Sequence, residues 1–173
     1  MTFFARLDGL LRRVSHLGFI AASALLLIVG LMGAADVVST NLFSSPIPGM
    51  VELSGALLAV IVFLGMAEAQ ARGSNIIIDV ATQNMRPGAQ RLSGIFSLAI
   101  AAALMGLIAW QTTRLAMSSW SYREAALGAL AFPVAPFKSV AAFGAWLATA
   151  EFLRQLIRRI AGLSPTDSTE APK

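Results

Sequence analysis

The chain alternates between long apolar runs and short charged segments. Residues 17–35, 53–67 and 92–113 hold no charged side chain, and 127–150 holds only Lys138. As an α-helix the first run spans about 28 Å, close to the roughly 30 Å hydrocarbon core of a bilayer. The second run is shorter and reaches that length only with residues 49–51 and 68–71 added at its ends. The pattern predicts an all-α integral membrane protein with four transmembrane helices, at about 17–36, 50–71, 92–114 and 135–156.

The last of these has two possible starts. Begun near residue 125, it would leave Lys138 unpaired at mid-bilayer, a costly place for a charge. Begun near Ala135, it puts Pro136 in the first turn, where proline is tolerated, and lets Lys138 snorkel outward. The second start is preferred. Glu151 and Arg154 then lie three apart on one face at the inner end.

Two short amphipathic segments flank the spans. Phe3, Phe4, Leu7, Leu10, Leu11 and Val14 recur at helical spacing among Arg6, Arg12 and Arg13, which predicts an interfacial helix before span one. Ile76, Ile77, Val80, Ala81 and Met85 form a second such face between spans two and three, ended by Pro87-Gly88. Residues 1–163 form one membrane domain, and the polar residues 164–173 form a disordered tail. A secretory signal peptide cut after Gly33-Ala34-Ala35 is the alternative for the first run, which is longer than the roughly 7–15 residues of a signal core.

Composition and charge sharpen this picture. Hydrophobic residues make up 57% of the 173 residues and charged ones 13%, against about 25% charged in soluble domains. Of the 13 Lys and Arg residues, Arg6, Arg12, Arg13, Arg72, Arg86, Arg91, Arg154, Arg158, Arg159 and Lys173 fall in the terminal segments and the 72–91 loop. Arg114, Arg123 and Lys138 fall on the other side. The excess of bases places both termini in the cytoplasm. The net charge of +4 would suggest nucleic acid in a soluble domain, but these bases follow membrane topology and form no stripe interleaved with aromatics.

Candidate chemistry is sparse. The absence of cysteine removes disulfides, thiolate catalysis and thiolate-bound metal. His16 stands alone and cannot provide the histidine pair of a membrane haem. No Gly-rich phosphate loop, Gly-x-Ser-x-Gly elbow or His-Glu-x-x-His pair occurs, and the acids do not cluster at metal-ligand spacing. No catalytic, cofactor-binding or metal-binding residue is expected, nor an enzyme. Asp36, Glu52, Glu68 and Arg114 fall at span ends, as boundary residues. Small residues four apart (Gly30 and Ala34, Gly65 and Ala69, Ala102 and Gly106, Gly144 and Ala148) provide packing surfaces within the chain or against a partner.

One stretch goes further. Pro48-Gly49-Met50-Val51-Glu52-Leu53 enters span two, Phe63-Leu64-Gly65-Met66-Ala67 lies near its inner end, and Arg72-Gly73-Ser74-Asn75-Ile76-Ile77-Ile78-Asp79 follows. This resembles the DctQ-type small permease subunit of tripartite ATP-independent periplasmic (TRAP) transporters, in motif over 48–79 and in topology over nearly the whole chain. It departs at Asn75, where the family often has His, at Ile77, where a basic residue is often found, and at Val134 and Ala135 after Pro133. The resemblance implies a bacterial inner-membrane subunit that braces a large membrane subunit and helps dock a periplasmic binding protein, for sodium-coupled uptake of a carboxylate. Sodium and substrate sites are then expected in the partner. Glu52, Arg72, Asp79, Arg114 and Arg123 are the candidate partner contacts, with Asp79 also able to pair with Arg86 or Arg91. The alternative is a standalone small multidrug- or proton-coupled transporter acting as a homodimer, for which Glu52 or Glu68 would be the membrane acid.

Overall fold

The computed structural model describes residues 2–72, 87–128 and 130–161. The expected interfacial helix over 76–85, Asp79, Arg86 and the 164–173 tail lie outside them. Four helices account for most of the described residues: α1 (Thr2–Phe43), α2 (Met50–Ala71), α3 (Pro87–Ser121) and α4 (Ala135–Ile160). Three of them, α1, α2 and α3, are long and apolar enough to cross a membrane. Helix α4 carries Lys138, Glu151, Arg154, Arg158 and Arg159 and does not meet that measure by composition.

The first helix differs from expectation. Instead of an interfacial helix followed by a separate span, α1 runs unbroken for 42 residues, about 63 Å and twice the thickness of the hydrocarbon core. No proline interrupts it, and Gly9 and Gly18 cost only about 1 kcal/mol each in a helix interior, too little to break the helix into separate segments. It stops where Ser44 turns left-handed at φ 52°.

Local chemistry sets the remaining ends. Gly49 precedes α2 at φ 76°, a region that glycine enters without strain. A β-carbon there would also lie 2.6 Å from that of Leu130. Glu52 occupies the first turn of α2, where the helix dipole favours an anion. Arg72 caps the other end, its backbone N–H donating to the Glu68 carbonyl at 2.9 Å.

Pro87-Gly88, read in the sequence as a helix end, opens α3, because proline suits a first helical position. Helix α3 then overshoots the expected 92–114 span, since Arg114 and the Ser/Thr residues near it are polar without being helix breakers. Arg123, left-handed at φ 49°, ends it. The Glu124 N–H donates back to the Ser119 carbonyl at 3.0 Å and the Arg123 N–H to Trp120 at 3.4 Å, the paired bonds of a Schellman turn. Helix α4 begins at Ala135 with Pro136 in its first turn, the preferred of the two starts.

The helices stand in a row, in the order α1, α2, α4, α3. Helix α2 packs between α1 and α4, α3 packs on α4, and α1 barely meets α4. Two small apolar cores fill the seams. Ala67, Met105, Ala109, Ala145 and Ala148 join α2, α4 and α3. Ala22, Val60, Ile61 and Leu64 join α1 to α2. The closest crossing is at Gly144, where a β-carbon would stand 2.7 Å from the Phe63 carbonyl carbon and 2.8 Å from the Leu64 nitrogen. Gly144 and Ala148 thus pack within the chain. Ala102 is buried, and a β-carbon at Gly106 would meet Thr149 at an ordinary 3.6 Å. Gly30 and Gly65 have open space instead.

Candidate functional sites at the two ends of the row

Polar contacts between helices gather at the two ends of the row. The end bearing the chain's amino-terminal helix start is called inner here, the other outer. At the inner end, Glu151 of α4 is fully buried. It is held by the Arg154 guanidinium, with Nε donating at 2.9 Å, and by Gln155 Nε2 at 3.2 Å. Arg154 also reaches Asp8 of α1 at 3.3 Å, and Arg158 reaches the same carboxylate at 3.1 Å. Gln155 donates to the Gln70 carbonyl at 2.6 Å and accepts from the Gln70 side chain at 2.8 Å.

Beside this set, Glu68 is buried and paired with Arg72 at 2.8 Å and with His16 at 3.2 Å. The Arg72 guanidinium lies over the Phe19 ring, 5.5 Å from its centroid. These contacts tie α1, α2 and α4 together with charges that neutralise one another.

The outer end is built differently. Residues 124–128 and 130–134 fold back on each other, closed by the Ala125–Pro133 bridge, with the Ala126 N–H donating to Phe132 and the Val134 N–H to Glu124. Lys138 does not snorkel into solvent. Its Nζ meets Glu124 at 2.6 Å and Ser119 at 2.9 Å. The Ser119 hydroxyl in turn donates to the Glu124 carboxylate at 2.5 Å, and the bonds from Lys138, foremost, and Ser119 hold the Glu124 carboxyl below the usual carboxylate range.

Trp120 donates to Ser139 at 2.9 Å, and Asp36 accepts the Ile47 N–H at 2.7 Å, closing the α1–α2 turn. Under the loop lies an apolar cleft of about 400 Å³, lined by Met32, Met50, Leu53, Leu130, Phe132 and Phe137 among others. Glu52 lies at its edge, its carboxylate against Gly128.

The sequence-derived contact residues therefore separate. Arg72 belongs to the inner lattice and is engaged within the chain. Glu52, Arg114 and Arg123 lie toward the outer end, Arg114 and Arg123 both exposed. Asp79 lies outside the described residues, while Arg91, its possible partner, donates to the Ile160 carbonyl at 3.1 Å. Sequence reading missed Asp8, Gln70, Gln155 and Glu124. Asp8 alone had a signal, as the one acid in a basic segment and four residues before Arg12. Among the described residues no three of His, Cys, Asp and Glu gather as metal ligands.

The family model for the tripartite ATP-independent periplasmic transporters, DctQ component, matches residues 29–162. The chain belongs to this family. No curated protein matches it. A DctQ component is the small permease subunit of a TRAP transporter, so the chain is a multi-pass membrane protein of a transport system, in a family of transporter components rather than of enzymes. The match starts within α1 and covers α2, α3 and α4, and therefore takes in both the buried Glu151 and the outer loop. Residues 2–28, with Asp8 and His16, lie ahead of it.

Proposed function

We propose that this chain is the bracing subunit of a TRAP transporter in a bacterial inner membrane, crossing it four times with both termini cytoplasmic. The excess of Arg and Lys at the inner end supports that orientation. Helix α4 serves as the fourth span, its Lys138 and Arg154 neutralised by Glu124 and Glu151 and its Arg158 by Asp8. The large membrane subunit carries the sodium and substrate sites and takes up a carboxylate-containing solute. The periplasmic binding protein docks at the outer end, where Arg114 and Arg123 are the candidate contacts.

The observation that carries this reading is the family match over α2, α3 and α4, joined to a row of helices that leaves both of its broad faces open to a partner. For the standalone homodimer no observation speaks. Glu68, one of the acids it would need, is already paired with Arg72 and His16.

A pull-down of the tagged chain from its native membrane in mild detergent tests the proposal. A large polytopic membrane protein should co-purify, and the isolated chain should neither bind nor move a carboxylate in liposomes. Recovery of the chain alone as a homo-oligomer, or sodium-coupled uptake by it alone, would overturn the reading.

A further inference from the structure

The inner-end arginines are not equivalent. Arg72, Arg154 and Arg158 each meet a carboxylate, of Glu68, Glu151 and Asp8. Arg91 of α3 and Arg159 of α4 meet none among the described residues, although both stand at the seam between those two helices. Arg91 donates one Nη2 bond, at 3.1 Å, to the Ile160 carbonyl in the last turn of α4. The Arg159 guanidinium lies against Gly94 of α3, in the space that a β-carbon at that position would occupy. Gly94 is one turn on from Arg91, so guanidiniums from two helices converge on one stretch of the α3–α4 seam. Both arginines are exposed, and Leu92, Ile157 and Ile160 beside them are exposed apolar side chains.

We propose that this seam binds the headgroup of an anionic phospholipid. A phosphodiester fits the arrangement because it accepts paired N–H bonds from guanidinium forks and supplies an anion that the described residues do not place at this seam. Basic pockets between transmembrane helices on the cytoplasmic side are suited to such headgroups. The flanking apolar side chains favour a lipid over a free phosphate, since acyl chains cover them while the headgroup is held. Gly94 positions Arg159, and its missing side chain is what lets the guanidinium lie in the seam.

The test compares thermal midpoints of the full chain in micelles doped with phosphatidylglycerol or with phosphatidylcholine, alongside a mass-spectrometric count of retained lipid. Phosphatidylglycerol should raise the wild-type midpoint by about 2–4 °C over phosphatidylcholine and remain bound. Arg91→Gln/Arg159→Gln should abolish that difference, and Arg91→Lys/Arg159→Lys should restore some of it. Gly94→Ala should reduce it, because the Arg159 guanidinium must leave the space that the new β-carbon takes. That variant keeps every charge and a good helix former, and so separates a shaped seam from general attraction of an acidic surface.

Arg13→Gln, exposed and away from the seam, should leave the difference intact. An equal response in the Gln pair or in Gly94→Ala would sink the proposal. So would a midpoint rise reproduced by millimolar inorganic phosphate in phosphatidylcholine micelles, because the site would then take a free anion.

Discussion

The two ends of the helix row are held by different means. At the inner end, carboxylates and an amide that are buried or nearly so (Glu151, Glu68, Gln70) meet arginines and a glutamine from other turns and other helices. Three of the four helices are tied there, and α3 is added through Arg91. At the outer end the ion pair of Glu124 and Lys138 is half open to solvent, a loop covers the helix ends, and an apolar cleft remains beneath it. A buried charge that loses its partner is costly, whereas an exposed pair gains little because water screens it. The inner end is therefore the rigid clamp, and the outer end is free to adjust to a partner. That division suits a subunit whose proposed work is to stay still at one side and receive a binding protein at the other.

The comparison can be broken at both ends at once. Gly144 lies between them, where α4 crosses α2 with no room for a side chain. Gly144→Leu would drive a side chain into the Phe63 and Leu64 backbone, which cannot yield as a flexible side chain can. The two central helices should separate, at a cost of about 3 kcal/mol or more. Fluorescence-detected size exclusion after heating should show most of the protein lost from the folded peak. A midpoint within about 2 °C of wild type would mean that the crossing is looser than described.

A second substitution acts on the inner end alone. Arg154→Ala leaves the fully buried Glu151 carboxylate without its cation and frees Asp8 of one of its two arginines. The expected loss is roughly 3–5 kcal/mol. The double variant Glu151→Leu/Arg154→Leu removes both charges and should recover most of the lost midpoint, because no unpaired charge stays buried. If the double variant is no better than the single one, the cost lies in packing and not in charge. The outer loop should keep its amide exchange protection in either variant.

Much of this architecture was legible in the sequence, and the features that were not have two physical causes. The apolar runs located the helices, and Pro136 with Lys138 located the start of α4. The motif around Gly49, Glu52 and Arg72 pointed to the family that the match over 29–162 shows. The apolar runs marked the stretches expected to cross the membrane, and α1 and α3 continue past those stretches into charged residues. Arg114 lies well inside α3, and the arginines before His16 lie inside α1, because a charged residue leaves the helical backbone bonds intact and only left-handed Ser44 and Arg123 break them.

The inner lattice was missed because its partners are far apart in the chain. Asp8 pairs with residues 146 and 150 positions away, and Gln70 with one 85 positions away. Spacing along one helix reveals Glu151 with Arg154, but not the helix that closes over them. Glu124 was read as belonging to a polar segment, and nothing local marks it as the partner of Lys138.

The smallest effect is expected at the outer end, and it is a matter of mobility. Lys138 and Ser119 hold the Glu124 carboxyl below the usual carboxylate range, so the ionised form is the one that anchors the loop. A carboxyl depressed on folding contributes fully above its unfolded value, and the contribution is lost as pH falls through the folded value. At neutral pH the loop should therefore be held, and it should loosen only in acid, below the ordinary carboxylate range. The readout is amide exchange at Ala126 and Val134, whose N–H groups close the loop, expressed as protection relative to the intrinsic rate at each pH. Wild type should lose protection there on acidification. Glu124→Gln should show the lower protection already at neutral pH and little further change. Asp36 and Glu52 also lie toward this end, and because both proteins keep them, the difference between the two isolates Glu124. Identical protection at Ala126 and Val134 in the two proteins across the acid range would show that the backbone bridge holds the loop unaided. The two ends would then differ in burial alone, and not in their response to charge.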